Sequence, residues 1–232
     1  MNAVEFKGVC KSFEGVKVLD DVSFSIRKGE IFAIIGPSGT GKSVVLKHIV
    51  GLLRPDCGTV ERGGSRIGYL FQSGALIQWL TVSENVALPL EETTDLSPKE
   101  IAAKVDAALS AVGLSDAAGK YPAEISGGMQ KRAGLAREIV RDSDIILFDE
   151  PTSGLDPVTA AAIDGLIERL NRQRGITSVV VTHDIASAIE YADRIMLLSK
   201  GRVVECSTPE EFASSRVPEV REFLAAMKGA KR

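Results

Sequence analysis

The feature that most constrains the fold of this chain is a glycine-rich segment that matches the phosphate-binding pattern G-x-x-x-x-G-K-[ST]. The segment reads Gly36-Pro37-Ser38-Gly39-Thr40-Gly41-Lys42-Ser43. The apolar run at residues 31–35 precedes it, and a stretch that can form a helix to about Val50 follows it. This context lets backbone N–H groups and the positive end of a helix surround a phosphate. We therefore expect Lys42 to contact the β- and γ-phosphates of a nucleotide and Ser43 to bind Mg²⁺.

Two further apolar runs, at residues 145–148 and 178–181, also end in polar side chains. The first ends in Asp149-Glu150 and the second in Thr182-His183-Asp184. Short continuous apolar runs are typical of parallel strands buried on both faces, and ligands of such sheets bind at the carboxyl ends of the strands. We expect Asp149 to hold Mg²⁺ through its water shell and Glu150 to polarise an attacking water as general base.

Helical patterns separate these runs, so the sequence predicts a doubly wound α/β fold. Asp156 can cap a helix whose first residue is Pro157. A second helix starts at the capping box Ser97-Pro98-Lys99-Glu100. It belongs to a mostly helical stretch between the apolar runs at residues 31–35 and 145–148. We place this stretch at about 73–140 as an inserted helical subdomain.

Other segments alternate like antiparallel strands. The first ~30 residues and roughly 58–70 show this alternation, which predicts an N-terminal antiparallel β subdomain. Residues 195–199 and 202–206 flank Lys200-Gly201, which predicts a hairpin.

A third motif, Ser126-Gly127-Gly128, opens a helix inside the helical stretch. Ser126 can act as the N-cap, and a helix start that two glycines leave without side chains is a good anion site. One chain would then carry two phosphate-binding helix ends. This duplication is hard to explain unless a second copy of the chain contributes one of them.

The composition narrows the function classes. The 232 residues allow one sizeable domain, and the net charge of −3 from 28 basic and 31 acidic residues gives no overall basic footprint for nucleic acid. No apolar run approaches the ~20 residues that cross a bilayer, and the N-terminus lacks a signal-peptide pattern, so any membrane-spanning part is expected in another chain. Cys10, Cys57 and Cys206 lie far apart, and we expect reduced thiols in a cytosolic protein.

The motif set resembles that of the ABC ATPase family over essentially the whole chain. The matching motifs, in family order, are the phosphate loop, Gln72, Ser126-Gly127-Gly128, Asp149-Glu150-Pro151, Ser153-Gly154-Leu155-Asp156 and His183. The resemblance implies a P-loop NTPase with a RecA-like parallel sheet core, and ATP with Mg²⁺ as ligands. It also implies a head-to-tail dimer in which Ser126, Gly127 and Gly128 of one copy contact the γ-phosphate held by Lys42 of the other.

The resemblance also assigns individual roles. Gln72 would link Mg²⁺ and the water to a membrane partner, Asp156 would lie at the dimer contact, and His183 would touch the γ-phosphate and position the water. Phe13 sits where the family stacks an aromatic ring on adenine; the alternative for Phe13 is an ordinary strand core residue. The other histidine, His48, lies on the helix after the phosphate loop and is interpreted as structural.

One departure from the family pattern points to a subfamily. The family signature motif, which in this chain includes Ser126-Gly127-Gly128, usually ends in Gln, where this chain has Met129. Together with the strings around Phe71-Gln72 and Arg216-Val217-Pro218, this makes the chain similar to Mla-type, or Mce-associated, phospholipid-transport ATPases. That resemblance implies phospholipid transport between inner and outer membrane, a peripheral position on the cytoplasmic face of a bacterial inner membrane, and as further partners an Mce-type lipid-binding protein and a small cytoplasmic regulator.

The segment Leu76-Ile77-Gln78-Trp79-Leu80 carries the single tryptophan. An exposed apolar patch is typical of a docking site, and by resemblance a short helix of an integral membrane permease would sit here. The alternative is that Trp79 packs inside the helical subdomain.

Other functions compete with phospholipid transport. Another ABC system, a small-solute importer or an exporter, would share every catalytic motif and differ in the permease. A non-transport ABC protein usually carries paired cassettes or long insertions, for which 232 residues leave no room. A P-loop kinase or GTPase would not need Ser126-Gly127-Gly128, and the sequence has no Asn-Lys-x-Asp string.

Overall fold

A computed structural model describes residues 1–229 of the chain. Strands and helices alternate through most of this length. The strands are β1 (Asn2–Phe13), β2 (Val16–Arg27), β3 (Ile31–Ile35), β4 (Cys57–Glu61), β5 (Ile67–Leu70), β6 (Ile145–Asp149), β7 (Thr177–Val181), β8 (Arg194–Ser199) and β9 (Arg202–Ser207). The helices are α1 (Lys42–Val50), α2 (Val82–Thr93), α3 (Pro98–Ala111), α4 (Gly127–Ile139), α5 (Pro157–Arg174), α6 (Ile185–Tyr191), α7 (Pro209–Ala213) and α8 (Pro218–Gly229).

The central sheet has the strand order β5-β6-β7-β3-β8-β9. All neighbours pair in parallel except β8 and β9. Every residue of β3 and β7 is buried, which explains why these strands appear in the sequence as continuous apolar runs. Because β6, β7 and β3 are adjacent, the three polar motifs that follow them meet at one edge of the sheet. The predicted α/β P-loop NTPase fold is confirmed.

A second sheet, with the order β2-β1-β4, packs beside the first and is antiparallel. It shares a hydrophobic core with one face of the central sheet, where Phe6, Phe24 and Phe32 stack in sequence. The N-terminal antiparallel expectation is therefore confirmed for the first strands. It was wrong for residues 67–70, since β5 joins the central sheet in parallel with β6. The physical reason is that Tyr69 and Leu70 are buried on both sides of β5.

The helices α2, α3 and α4 lie between β5 and β6 in the chain, as expected of an inserted helical segment. The predicted capping box is present, because the Ser97 side chain accepts from Glu100 N and the Glu100 carboxylate accepts from Ser97 N. The apolar stripe of α3, including Ile101 and Val105, is buried in the same core as residues of β3 and β6. The helical segment is thus packed onto the central sheet.

The remaining local predictions are also confirmed. Asp156 caps α5 by accepting from the backbone N–H groups of Val158 and Thr159. The hairpin β8–β9 turns at Lys200 and Gly201, whose φ angles of 48° and 74° are the left-handed values that a two-residue hairpin requires.

The cysteine expectation needs a correction. Cys10 and Cys57 lie opposite each other on β1 and β4, with 5.0 Å between their Cα atoms, and form a disulfide. Sequence distance hid this pair, because residues 47 positions apart become cross-strand neighbours only once β4 joins β1. Cys206 is a thiol, and its Sγ accepts a hydrogen bond from Arg194.

Among the helices in the described part of the chain, none combines the length and the apolar character needed to cross a membrane.

Candidate active site

The phosphate loop connects β3 to α1, and its glycines are required by the surrounding backbone. Gly36 has a φ of 149°, and a Cβ there would lie 2.1 Å from the carbonyl oxygen of Leu198. Gly41 has a φ of 100°, and a Cβ would lie 2.9 Å from the Leu19 side chain. Because side chains cannot fit, the loop presents backbone groups to the cleft. The other loop residues, Pro37, Ser38, Gly39 and Thr40, form a turn that the Thr40 hydroxyl closes by donating to Pro37 O at 2.9 Å.

The Lys42 ammonium group folds back over this loop. Its Nζ donates to the carbonyl oxygens of Gly36 at 2.8 Å and Pro37 at 2.9 Å. The side chain is 7% exposed, and burial lowers the pKa of Lys42, although the carboxylates of Glu150 and Asp149 oppose that shift. A positive charge is thus held at the start of α1, directly beside the loop carbonyls.

Asp149 and Ser43 meet at the edge between β6 and α1. The Ser43 hydroxyl donates to Asp149 Oδ1 at 3.1 Å, and the Tyr69 hydroxyl donates to Asp149 Oδ2 at 2.8 Å. Burial, followed by the Asp149 hydrogen bond, raises the pKa of Tyr69 well above its usual range, so the phenol keeps its proton as donor. The expected pair of Mg²⁺ ligands is therefore in contact, and a third residue fixes the carboxylate.

The donor set fits Mg²⁺. A hydroxyl and a carboxylate are hard oxygen ligands, and Mg²⁺ in nucleotide sites uses one or two such protein groups together with phosphate oxygens. Within residues 1–229 no group of three or more His, Cys, Asp or Glu side chains could hold a metal by itself. Ser43 and Asp149 therefore suit a cation that arrives with a nucleotide.

Glu150 and His183 stand next to each other at the ends of β6 and β7. His183 Nδ1 lies 3.3 Å from Glu150 Oε2, and the His183 side chain is largely exposed. Glu150 has a φ of 50°, which is unusual for a residue with a long side chain, and its N–H donates to Val181 O at 2.9 Å. The adjacent strands thus hold the proposed base and the proposed γ-phosphate contact together.

A cleft of about 260 Å³ opens over the loop. Its lining residues are Val18, Ser38, Gly39, Gly41, Lys42, Ser43, Val44 and Glu150. The cleft therefore joins the phosphate loop to the proposed general base. None of these lining residues, within the part of the chain that the structure describes, belongs to α4.

The motif Ser126-Gly127-Gly128 forms the N-terminus of α4. Ser126 is the N-cap, and its hydroxyl accepts from Met129 N at 3.3 Å, as predicted. Ser126 and Gly127 are exposed. A Cβ on Gly128 would lie 2.4 Å from the Thr159 side chain, so the second glycine is needed for packing against α5. This helix end is therefore exposed at its first two positions and is absent from the lining of its own chain's cleft.

The remaining predicted residues are not among those that line the cleft. Gln72 is exposed, and its Nε2 donates to Ser153 Oγ at 3.2 Å rather than contacting Ser43 or Asp149. Asp156 caps α5, and the Thr159 hydroxyl and N–H hold the pKa of its carboxyl below the usual value. Phe13 ends β1 with 41% exposure, which argues against the alternative that it is a strand core residue.

His48 fits its structural interpretation. The side chain is fully buried on α1, and its Nδ1 lies 2.7 Å from Val44 O. Burial lowers the pKa of His48.

Two residues near the site were missed by the sequence analysis. Tyr69 fixes Asp149, and its position in a strand beside β6 could have signalled this role only once the strand pairing was known. Lys131 is 6% exposed, and its Nζ donates to Ser153 O at 2.7 Å and lies 3.4 Å from Glu150 O. A lysine inside an amphipathic helix carries no such signal in sequence, since lysines usually face solvent.

Comparisons with known proteins identify the family of this chain. The profile of the family described as ABC transporter matches residues 19–153. The probable ribonucleotide transport ATP-binding protein mkl of Mycobacterium leprae is 42% identical over 96% of this chain and 68% of its own length. The mkl protein of Mycobacterium tuberculosis H37Rv shares the same identity, and the chain spans 66% of its length.

Other relatives carry different names. The intermembrane phospholipid transport system ATP-binding protein MlaF of Escherichia coli K12 is 37% identical over 96% of this chain and 88% of the relative. The chloroplastic protein trigalactosyldiacylglycerol 3 of Arabidopsis thaliana is 38% identical over 95% of this chain and 72% of the relative. The resemblance to Mla-type ATPases is confirmed.

Solved structures show the same fold. The ATP-binding cassette MJ0796, solved as a dimer in a post-hydrolysis state with ADP and Pi, matches with a TM-score of 0.81 and 34% identity over 89% of this chain and 98% of that chain. The cbiO1 subunit of Clostridium perfringens, part of the ABC transporter complex cbiONQ, matches with a TM-score of 0.85 and 26% identity over 97% and 99%. With the profile covering more than half of its residues, the chain belongs to the ABC transporter family, as an ATP-binding subunit.

Proposed function

We propose that this chain hydrolyses ATP to drive a transporter, and that a second copy of the chain completes its active site. The observation that carries the proposal is the incomplete lining of the cleft. Lys42, Ser43 and Glu150 line it, whereas Ser126-Gly127-Gly128 of the same chain does not. An exposed helix N-terminus favours an anion, and a phosphate in the cleft of another copy would supply one.

Each residue has a distinct task in this proposal. The loop N–H groups and Lys42 bind the phosphates, and Glu150 accepts a proton from the attacking water as general base. His183, 3.3 Å from Glu150, positions the water and contacts the γ-phosphate. Phe13 stacks on the adenine through its exposed ring. Ser43 and Asp149 would hold Mg²⁺, which would neutralise phosphate charge when bound, and Gln72 would link it to the membrane partner.

Two copies would close around two nucleotides and open after hydrolysis. Closure brings each signature segment to the partner's γ-phosphate, and Asp156 to the dimer contact. To move an equilibrium from 1:99 to 99:1, a ligand must prefer one state by about 10⁴-fold. Phosphate charge bridged at two interfacial sites could supply this preference, and hydrolysis would remove it.

The substrate class that we favour is phospholipid, moved between membranes. Met129 supports this choice. The family signature usually ends in glutamine, and the methionine at this position is the feature that resembles the Mla-type proteins. The MlaF relatives are named for intermembrane phospholipid transport, whereas the mkl relatives are named for ribonucleotide transport. The ribonucleotide alternative, like a small-solute importer or an exporter, would keep every catalytic residue and change the permease.

The partner proposed for the surface around Trp79 is an integral membrane permease. Trp79 is 79% exposed, while Leu76 is buried and holds the segment in place. An exposed indole close to a buried side chain of the same segment suits docking of a short apolar helix. An Mce-type lipid-binding protein and a small cytoplasmic regulator would complete the system, with this chain peripheral on the cytoplasmic face of a bacterial inner membrane.

The domain organisation is part of the same proposal. Residues 1–232 would form a single nucleotide-binding domain with a helical subdomain at about 73–140. The C-terminal tail would span about 208–232, of which 230–232 lie outside the described residues.

The experiment is a purification of the tagged chain from its native membranes in mild detergent, followed by mass spectrometry of co-purifying proteins. A multi-spanning permease together with an Mce-type protein is the expected result. A different permease would retain the ATPase mechanism and overturn the phospholipid assignment. Recovery without any membrane protein would overturn the transport function itself.

A further inference from the structure

Lys131 is a buried ammonium group that has backbone carbonyls as its hydrogen-bond partners. It lies on α4, five positions after the signature N-cap Ser126, and its side chain is 6% exposed. Its Nζ donates to Ser153 O at 2.7 Å and lies 3.4 Å from Glu150 O. Burying an ammonium group is costly unless it is hydrogen-bonded and compensated by opposite charge, and here the two carbonyls and the nearby charge of Glu150 oppose that cost.

The two carbonyls belong to the same turn. Ser153 N donates to Glu150 O at 3.2 Å, so residues 150–153 form a turn directly after β6. The turn begins at Glu150, whose left-handed φ of 50° is held by its neighbours. Lys131 therefore clamps both ends of the turn that orients the proposed general base.

The first turn of α4 contacts the next part of the same segment. A Cβ on Gly128 would lie 2.4 Å from the Thr159 side chain and 3.8 Å from Leu155. A Cβ on Gly127 would lie 3.9 Å from Leu155. The signature helix thus contacts residues 150–159 both through the Lys131 ammonium and through close packing at its N-terminus. Because these contacts are tight, a shift of this helix would also move the turn at residues 150–153.

We propose that Lys131 couples the two ATP sites of the dimer. The inference rests on the proposed function, in which Glu150 serves the nucleotide of its own chain and Ser126-Gly127-Gly128 serves the nucleotide of the partner. Within one chain, Lys131 then joins the base of one site to the signature helix of the other. Binding at the partner's site, sensed by the signature helix, is passed to the Glu150 turn, and the reverse holds by thermodynamic reciprocity.

Lysine suits this role because its three N–H donors can hold two carbonyls at once. Methionine has a similar length and no donors, so Lys131→Met removes the clamp with little change in volume. Lys131→Arg keeps charge and donors. The positioning role therefore predicts loss in the first variant and substantial rescue in the second.

The test measures coupling between the sites directly. Mixed dimers of the full chain are isolated through two different affinity tags, and one chain carries Lys42→Ala to disable its own nucleotide cleft. The affinity of the intact site for a non-hydrolysable ATP analogue with Mg²⁺ is compared with that in dimers with two intact sites. We expect disabling one site to weaken binding at the other about five- to tenfold, in the range of typical coupling factors. With Lys131→Met in both chains, disabling one site should change the affinity of the other site by less than about twofold.

The controls separate coupling from folding. Lys104, on α3, forms an exposed ion pair with Asp142. Lys104→Met removes this pair and should leave the coupling factor unchanged. Thermal melting identifies any loss of stability in Lys131→Met, and Lys131→Arg should restore at least half of the coupling, expressed as a free energy. A purely structural role would lower stability and leave the coupling factor intact.

The outcomes distinguish the inference from the proposed function. Nucleotide-dependent dimers whose coupling is equal with and without Lys131→Met would overturn the role of Lys131 and leave the dimer mechanism standing. Failure of the unaltered chain to dimerise with the ATP analogue would overturn the proposed function, and the coupling with it. Independent sites in the unaltered dimer would also exclude the coupling.

Discussion

The Tyr69 hydroxyl donates a 2.8 Å hydrogen bond to one carboxylate oxygen of Asp149, while the other oxygen receives the Ser43 hydroxyl at 3.1 Å. Tyr69 is 7% exposed and its ring packs 4.3 Å from that of Phe71. The carboxylate is therefore fixed in rotation before any nucleotide binds. A preorganised ligand spends less free energy on ordering when a cation arrives.

Tyr69→Phe should therefore weaken the magnesium dependence of the protein selectively. The substitution keeps the ring and removes one hydrogen bond to a charged group, a contribution of about 1.5 kcal/mol or more. We expect the Mg²⁺ concentration for half-maximal ATP hydrolysis to rise about five- to tenfold, with ATP affinity in EDTA unchanged. Hydrolysis rates at a series of Mg²⁺ concentrations measure the first quantity, and calorimetric titration with ATP in EDTA measures the second.

The matched control is Tyr121→Phe, since Tyr121 is 47% exposed and lies outside this cluster. Its Mg²⁺ dependence should equal that of the unaltered chain. Equal Mg²⁺ dependence in Tyr69→Phe as well would show that Asp149 needs no positioning.

Lys42→Ala should abolish measurable nucleotide binding. The Lys42 ammonium group is the buried positive charge in the cleft, and its present partners are carbonyls that a phosphate can replace. We expect ATP affinity to fall by at least about 100-fold, because a charge-assisted contact to a phosphate in a partly buried site is strong. Lys47→Ala on the exposed face of α1 is the control and should bind normally. Calorimetry giving the same affinity for Lys42→Ala and Lys47→Ala would exclude the phosphate role of Lys42.

Glu150→Gln should stop turnover while preserving ATP binding. Glutamine keeps the shape of the side chain but cannot accept the proton from water, so we expect hydrolysis to fall by about 10²-fold or more. The bound nucleotide would then hold the dimer closed, which size-exclusion chromatography with ATP can detect.

The control for this variant is Glu168→Gln, which changes an exposed carboxylate on α5. It should hydrolyse ATP normally and elute as the unaltered chain does. If the Glu150→Gln variant eluted as a monomer both with and without ATP, the result would contradict the dimer mechanism. Normal turnover in this variant would contradict the assignment of Glu150 as the general base.

Much of this site could be predicted because its motifs follow buried strands. Residues 31–35, 145–148 and 178–181 are continuous apolar runs, and their carboxyl ends meet wherever the strands are adjacent and parallel. The sequence could not specify which strands are neighbours. For that reason the alternation of residues 67–70 wrongly predicts an antiparallel strand, and nothing in the sequence indicates that Tyr69 is the partner of Asp149.

The other gaps have the same origin. Cys10 and Cys57 become neighbours through the pairing of β1 with β4, which no spacing rule shows. Lys131 is an unremarkable helical lysine until the turn after β6 is packed beneath it. Local signals such as the caps at Ser97, Ser126 and Asp156 were predictable, because each depends on residues within four positions.

Trp79→Ser should release the chain from its membrane partner without changing its own ATPase activity. The indole is 79% exposed, and Trp79 is not among the residues that line the cleft with Lys42 and Glu150. An exposed aromatic anchor typically contributes about 2 kcal/mol or more to an interface. We expect permease recovery in the tagged purification to fall at least about tenfold.

Leu52→Ser is the matched control for that loss, because Leu52 is another exposed apolar side chain at 64% and lies after α1. Its permease recovery should match that of the unaltered chain. Equal recovery with Trp79→Ser would place the docking surface elsewhere.

Asp164 makes the stability of the fold depend on pH in a direction opposite to that of most carboxylates. Burial, opposed by a hydrogen bond from Ser187 and assisted by the charges of Asp184 and Glu190, raises the pKa of Asp164 to about 6. The folded state therefore holds a proton that the unfolded state releases near pH 3.8. The stabilisation is fully present below the unfolded value and is lost as pH rises through about 6.

Asp164→Asn should consequently raise the free energy of unfolding at pH 8 and have little effect near pH 3.8. A shift of this size corresponds to roughly 3 kcal/mol in full, and solvent screening of a partly exposed side chain reduces the expected gain to about 1 kcal/mol. Urea titrations at several pH values measure the difference. The control Asp106→Asn changes an exposed carboxylate on α3 and should show no pH-dependent gain. If the two variants changed stability equally at pH 8, the burial of Asp164 would not be the cause, because only Asp164 loses solvent on folding.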